Sequence, residues 1–157
     1  MIKSKALTLA LLMLILTVAC QSQTADNGNN CQATAYDEIG PFYRPNAPIR
    51  ATVGKGYQLE GTVRSVSGCQ PLPGAVIEFW LVNKQGNYDD AHRATVIADR
   101  KGRYSFESNR PSDYVGRLPH IHIRVSGKGH ETLITQHYPA EGKSTARFDL
   151  ILSATKN

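Results

Sequence analysis

The sequence predicts an antiparallel β-sandwich of about seven or eight short strands in a single domain. Three observations carry that prediction. Beyond residue 56, short apolar runs are separated by turn-forming residues about every 8–12 positions. No stretch beyond residue 20 sustains a helical period. The 157 residues, 41% of them hydrophobic and 20% charged, suffice for one globular domain and little more.

The elements follow in order. Residues 57–66 alternate, with Leu59, Gly61 and Val63 on one face. Gly68 to Gly74, rich in Gly and Pro, forms a turn. Residues 75–82 are nearly all apolar with Glu78 as the single charge, the pattern of a strand buried between two sheets. Gln85-Gly86-Asn87 turns the chain again. Residues 95–98 and 103–107 flank Asp99-Arg100-Lys101-Gly102, which reads as a hairpin turn. Residues 120–126, 132–137 and 147–152 supply three more strands. Ahead of all these, Gly40-Pro41-Phe42-Tyr43-Arg44-Pro45 is an extended, proline-punctuated stretch expected to lie over the domain surface.

The N-terminus carries an address. Lys3 and Lys5 precede an apolar run that stops short of the roughly 20 residues a spanning helix needs, so residues 1–19 read as a signal peptide. Leu16-Thr17-Val18-Ala19-Cys20 resembles a bacterial lipobox, which implies lipidation of Cys20; cleavage after Ala19 with no lipid is the alternative. Residues 20–30 are a polar, flexible tether and residues 31–157 the domain. The expected location is therefore outside the cytoplasm: periplasmic or anchored to the outer membrane through the lipid, otherwise secreted. Export makes a disulfide the expected state of Cys31 and Cys69, with two buried thiols as the alternative. The net charge of +5 falls to +3 once Lys3 and Lys5 are set aside, and the remaining basic residues are scattered singly. That pattern excludes nucleic acid as the expected partner.

The chemistry concentrates at Pro119-His120-Ile121-His122. Side chains at i and i+2 leave one face of a strand, so both imidazoles can approach one point. Tyr114 stands six residues before His120, and Tyr88 ends the Gly86-Asn87-Tyr88 turn. A phenol titrates near 10 in isolation, but a trivalent cation deprotonates it and gains a hard oxygen ligand. Two phenolates and two imidazoles would leave Fe(III) a charge near +1 and room for outside oxygen ligands.

The contexts of these residues resemble the intradiol ring-cleavage dioxygenases, the family of catechol 1,2-dioxygenase and protocatechuate 3,4-dioxygenase. The pieces stand in the family's order from about Cys31 to the last strand. They are Gly40-Pro41-Phe42-Tyr43, Gly61-Thr62-Val63, Cys69 to Ala75, and Trp80 with Gly86-Asn87-Tyr88. Next come Asp99-x-x-Gly102-x-Tyr104-x-Phe106, Arg117 to His122, and Leu133 to Tyr138. The resemblance implies one non-haem Fe(III) per chain, with Tyr88, Tyr114, His120 and His122 as its ligands. It implies Arg117 as the active-site arginine and Gln136 as a residue lining the substrate pocket. The implied partners are a catecholic substrate and O2, and the implied product is a cis,cis-muconate-type diacid. Tyr114 would leave the metal and serve as a base, while Tyr88 would stay bound.

Three features depart from the larger members of that family. Ile39 stands before Gly40-Pro41-Phe42, where a small polar or acidic residue is usual; the Tyr114–His120 loop is short; and no helical domain is read ahead of the sandwich. The chain thus resembles a compact secreted branch, whose paired cysteines match Cys31 and Cys69. The short loop and external location favour bulky or varied catechols, with Lys128, His130 and His137 as candidate rim positions. The competing reading is a non-catalytic, transthyretin-like periplasmic binding module whose His pair takes copper or zinc.

Overall fold

The structure is a computed structural model that describes residues 31–113 and 116–156. The expected signal peptide, lipidation site at Cys20 and tether, and Tyr114, lie outside the described residues.

Eight strands form two four-stranded sheets: β1 (Tyr57–Ser65), β2 (Val76–Val82), β3 (Tyr88–Ile97), β4 (Arg103–Ser108), β5 (Ile121–Ser126), β6 (Leu133–His137), β7 (Thr145–Arg147) and β8 (Leu150–Leu152). One sheet runs β4-β1-β7, with β8 also on β1; the other runs β3-β2-β5-β6. Strand alternation sends Leu59, Val63 and Phe106 inward from the first sheet, against Ile77, Phe79, Leu81, Ile121, Ile123 and Val125 from the second. Phe79 stacks on Phe106 across the interior, ring centroids 4.2 Å apart. The predicted β-sandwich is the fold.

Four local expectations change. The turn at Asp99 forms, with the Asp99 N–H donating to the Arg103 carbonyl at 2.9 Å, but its arms are not a hairpin. Each arm has a longer partner: β3 pairs with β2 along Val76–Trp80, and β4 crosses to β1 along Tyr57–Thr62. The stretch 147–152 divides into β7 and β8, both parallel to β1, so one sheet is mixed and not purely antiparallel. At the break, the Asp149 carboxylate accepts the Thr62 N–H at 2.9 Å in place of a strand carbonyl. Gly61 belongs there because a Cβ would collide with the Phe148 carbonyl. Tyr88, expected to end a turn, instead begins a ten-residue strand.

The fourth change concerns β2. Its inner face enters the core, but its outer face is covered by a strap, residues 31–50, and not by a second sheet. The strap crosses all four strands. The Asp37 N–H donates to Ile134 of β6 at 2.9 Å, Gly40 sits on His122 of β5, Tyr43 meets Glu78 and Trp80 of β2, and the Arg50 N–H donates to Thr95 of β3 at 3.1 Å. The lone charge of β2 is thereby satisfied: Glu78 pairs with Arg124 at 2.7 Å and accepts from the Tyr43 hydroxyl at 3.2 Å. A Cys31–Cys69 disulfide, closing a separation of 38 residues, ties the strap's start to a 3₁₀ turn, Ser67–Cys69, after β1.

Two outcomes follow. Serine at both Cys31 and Cys69 should lower the urea-measured stability by about 2–4 kcal/mol, since the unfolded chain regains the closed loop's entropy. A loss below about 1 kcal/mol would mean that hydrogen bonds alone hold the strap. His137 points inward from β6, 2.7 Å from the Tyr57 hydroxyl, and burial holds it down to about 4. The unfolded chain titrates near 6.5, so its proton uptake outruns the folded state's as pH falls from about 6.5 towards 4. Stability is full above that window and declines within it; urea midpoints from pH 8 to 4 should fall less steeply for His137→Gln.

Candidate metal centre

The site stands on a row of cross-strand neighbours. Trp80 of β2 pairs with His122 of β5, which pairs with Gln136 of β6. All three leave the outer face of the sheet, where the strap covers them. Trp80 lies flat against the His122 ring, 4.9 Å between centroids and 4° between planes, and so fixes the imidazole plane. His120, two residues earlier and on the same side, meets His122 edge-on.

Tyr88 arrives by a different device. After Val82, Asn83 clamps the turn, its side-chain carbonyl accepting the Gln85 and Asn87 N–H groups at 2.9 and 3.0 Å. The register then jumps from Trp80↔Arg93 to Val82↔Tyr88, which places a bulge at residues 89–92 of β3. Asp89 closes that bulge by accepting the His92 N–H at 2.9 Å. A bulge bends its strand and re-aims a side chain. Here it returns Tyr88 to the end of β2 and turns its phenol towards the histidines.

Three atoms converge as a result. The Tyr88 hydroxyl lies 3.2 Å from His120 Nε2 and 3.0 Å from His122 Nε2, and the two nitrogens are 3.1 Å apart. The centre of such a triangle is about 1.8 Å from each corner, close to the roughly 2.0–2.1 Å of a metal–nitrogen bond, so the three atoms could serve one ion. The His120 Nδ1–H donates to the Leu118 carbonyl at 2.7 Å, which fixes the tautomer and turns the Nε2 lone pair into the triangle. Burial, and secondarily Arg117, lowers the pKa of His120; burial, then His120 and Arg117, brings His122 down to about 3. Both rings are therefore neutral near pH 7 and present lone pairs. Two neutral imidazole nitrogens and a phenol oxygen at this spacing can turn their lone pairs to one cation. The donor set and its spacing fit a metal ion. Among the described residues no group of three His, Cys, Asp or Glu forms such a cluster; the third donor is a phenol.

The strap completes the enclosure. Gly40, at φ +70°, lies so close that a Cβ would stand 3.1 Å from His122 Cε1. Phe42 stacks on Tyr88 at 4.5 Å and 14°. Of the remaining sequence-derived residues, Arg117 and Gln136 come together, Arg117 Nη2 donating to Gln136 Oε1 at 2.8 Å. His137 faces the core, and Lys128 and His130 lie at the far end of the β5–β6 hairpin, His130 bonding to Ser65. None of these three is at the rim. Trp80 and Gly40 are visible in the sequence as residues, but not as the floor and wall of the site; only the register shows that.

A family model described as "Dioxygenase" matches residues 40–157. The chain is 34% identical over 140 residues to a catechol 1,2-dioxygenase of Candida albicans, covering 66% of this chain and 46% of that protein. It is 29% identical over 170 residues to a hydroxyquinol 1,2-dioxygenase of Rhodococcus opacus, covering 87% of this chain and 56% of that one. The chain thus spans about half the length of these relatives. The dioxygenase domain of a dioxygenase–carbohydrate-binding fusion from Streptomyces sp. SirexAA-E superposes with TM-score 0.71 at 24% identity, over 79% of this chain and all of that one. Catechol 1,2-dioxygenase from Pseudomonas arvilla C-1 superposes at 0.67 and 22%, over 78% of this chain and 62% of that one. Both structures share the fold.

Gly40→Ala should cost about 1–2 kcal/mol of stability, from left-handed strain and the contact with His122. Urea unfolding checks the loss, and a value within about 0.3 kcal/mol of wild type would show that the strap relaxes freely.

Proposed function

The chain belongs to the intradiol ring-cleavage dioxygenase family, and on that premise we propose that it opens a catecholic ring between its two hydroxylated carbons. The reaction consumes one O2 and yields a muconate-type diacid that carries both oxygen atoms. The observation that carries the reading is the triangle of Tyr88 Oη, His120 Nε2 and His122 Nε2. These three, with Tyr114, are the residues that would hold one ferric ion. Bound there, Fe(III) would supply the Lewis acidity that makes a catecholic ring reactive towards O2.

The chain's own residues supply the rest. Tyr88 donates a hard anionic oxygen from a fixed bulge, and Phe42 limits its rotation. Tyr114 takes one catechol proton, the role the family pattern gives that position. Arg117, held by Gln136 beside the donors, places a permanent cation where negative charge gathers on the ring as it opens. Trp80 and Gly40 close the floor, which keeps water from the back of the site. We place the domain outside the cytoplasm, on the leader-like residues 1–19 and on the Cys31–Cys69 disulfide, a bond that persists in oxidising compartments.

Purified protein should hold one iron per chain, absorb visible light through phenolate charge transfer, and consume oxygen only when a catechol is added. Tyr88→Phe should weaken and shift the colour, since Tyr114 would still supply one phenolate, and lose more than about 100-fold of the oxygen uptake, beyond the 10–100-fold that outer-shell changes cost. Colourless wild-type protein that takes up only zinc or copper would instead identify a binding module.

A further inference from the structure

We propose that Asp37 and Tyr138 are positioning residues that fix the Arg117 guanidinium beside the metal donors, Asp37 through Gln136 and Tyr138, and Tyr138 by direct contact. The inference deepens the intradiol reading and rests on it. Arg117 follows Gly116, at φ +75°, in a loop before β5. A long side chain in such a loop carries about 2 kcal/mol of rotamer entropy, which must be overcome before the charge is preorganised. Its Nη2 donates to Gln136 Oε1 at 2.8 Å.

An amide can present either end, so something must choose. Gln136 is 5% exposed and cannot turn to water. Its Nε2 donates to the Glu38 carbonyl at 2.8 Å and approaches Asp37 Oδ1 at 3.4 Å. Both acceptors belong to the strap, and together they leave Oε1 facing Arg117. Tyr138 closes the ring of contacts. Its hydroxyl lies 3.0 Å from Asp37 Oδ2, 3.1 Å from Gln136 Oε1 and 3.4 Å from Arg117 Nη2. One proton cannot serve two acceptors, and the anionic carboxylate is the stronger. The hydroxyl therefore donates to Asp37 and leaves its oxygen to accept from Arg117. Asp37 is held in turn: the Glu38 N–H donates to its Oδ1 at 2.7 Å, and its own N–H bonds to Ile134.

Tyr138→Phe keeps the ring and removes the hydroxyl. In metal-free protein, 15N relaxation should show the Arg117 guanidinium more mobile in Tyr138→Phe and Asp37→Ala than in wild type, with Asp37→Asn intermediate because it keeps an acceptor. In iron-loaded protein, Tyr138→Phe should lower kcat about tenfold with KM little changed, and leave the visible absorption intact. In an Arg117→Ala background the same substitution should have no further effect. An unchanged guanidinium, a kcat loss that persists in Arg117→Ala, or a lost absorption band would each overturn the proposal. Wild-type protein that binds catechol anaerobically yet consumes no oxygen would sink the cleavage reading, while the relaxation result would still decide the positioning role.

Discussion

The site depends on one packing constraint: an extended strap must lie across the outer face of the β3-β2-β5-β6 sheet. That face carries Glu78, Arg124, Trp80, His122 and Gln136, a row far too polar for an open sandwich core and mostly sealed from water. Glu78 and Arg124 pair with each other across β2 and β5, but the rest of the row needs cover or partners that the sheet cannot give. The strap supplies them by crossing at right positions: Asp37 and Glu38 at Gln136, Gly40 at His122, Tyr43 at Glu78 and Trp80. Its extended backbone can do this because Pro41 and Pro45 disfavour helix and Gly40 permits the bend that approaches the imidazole. Remove the strap, and the same row becomes exposed imidazoles on a wet surface, free to reorient.

The donor triangle illustrates how rigid elements and irregular ones divide the work. His120 stands just before β5 and His122 is its second residue, so their spacing is given by strand pleat. Tyr88 cannot come from that lattice, since it pairs with the end of β2 one bulge away from Arg93. The bulge, locked by Asp89 and His92, turns a phenol of the edge strand β3 towards the histidines. Neutral rings are part of the same design. Burial makes each imidazole reluctant to hold a proton, and a reluctant base with its lone pair aimed at a common point is a ready ligand.

Much of this was legible in the sequence. Strand alternation and turn residues give the sandwich, because each strand has one face in the core; the His-x-His pair gives two of the three donors, because period two is a local property. The errors lie where pairing is not local. Asp99 to Gly102 is a correct turn whose arms part, since β1 and β2 outcompete the local partner. Residues 147–152 look like one strand until Asp149 substitutes its carboxylate for a carbonyl. Asp37 carries no sequence signal at all, because its partner Tyr138 stands 101 residues away. Burial on both faces of β2 was read correctly, but only the tertiary structure shows that a single extended segment, and not a sheet, covers the second face.

That separation in sequence has a consequence for how the protein is made. Thr34 bonds to Ile151, and Asp37 to Ile134, so the strap has nothing to dock on until the last strands exist. Contacts of such range close slowly and late, after the local hairpins have formed. A chain built this way cannot enclose an ion while it is still being synthesised. The strap closes over the donors only in the finished domain, so the metal sealed there would be set by the surroundings in which folding ends.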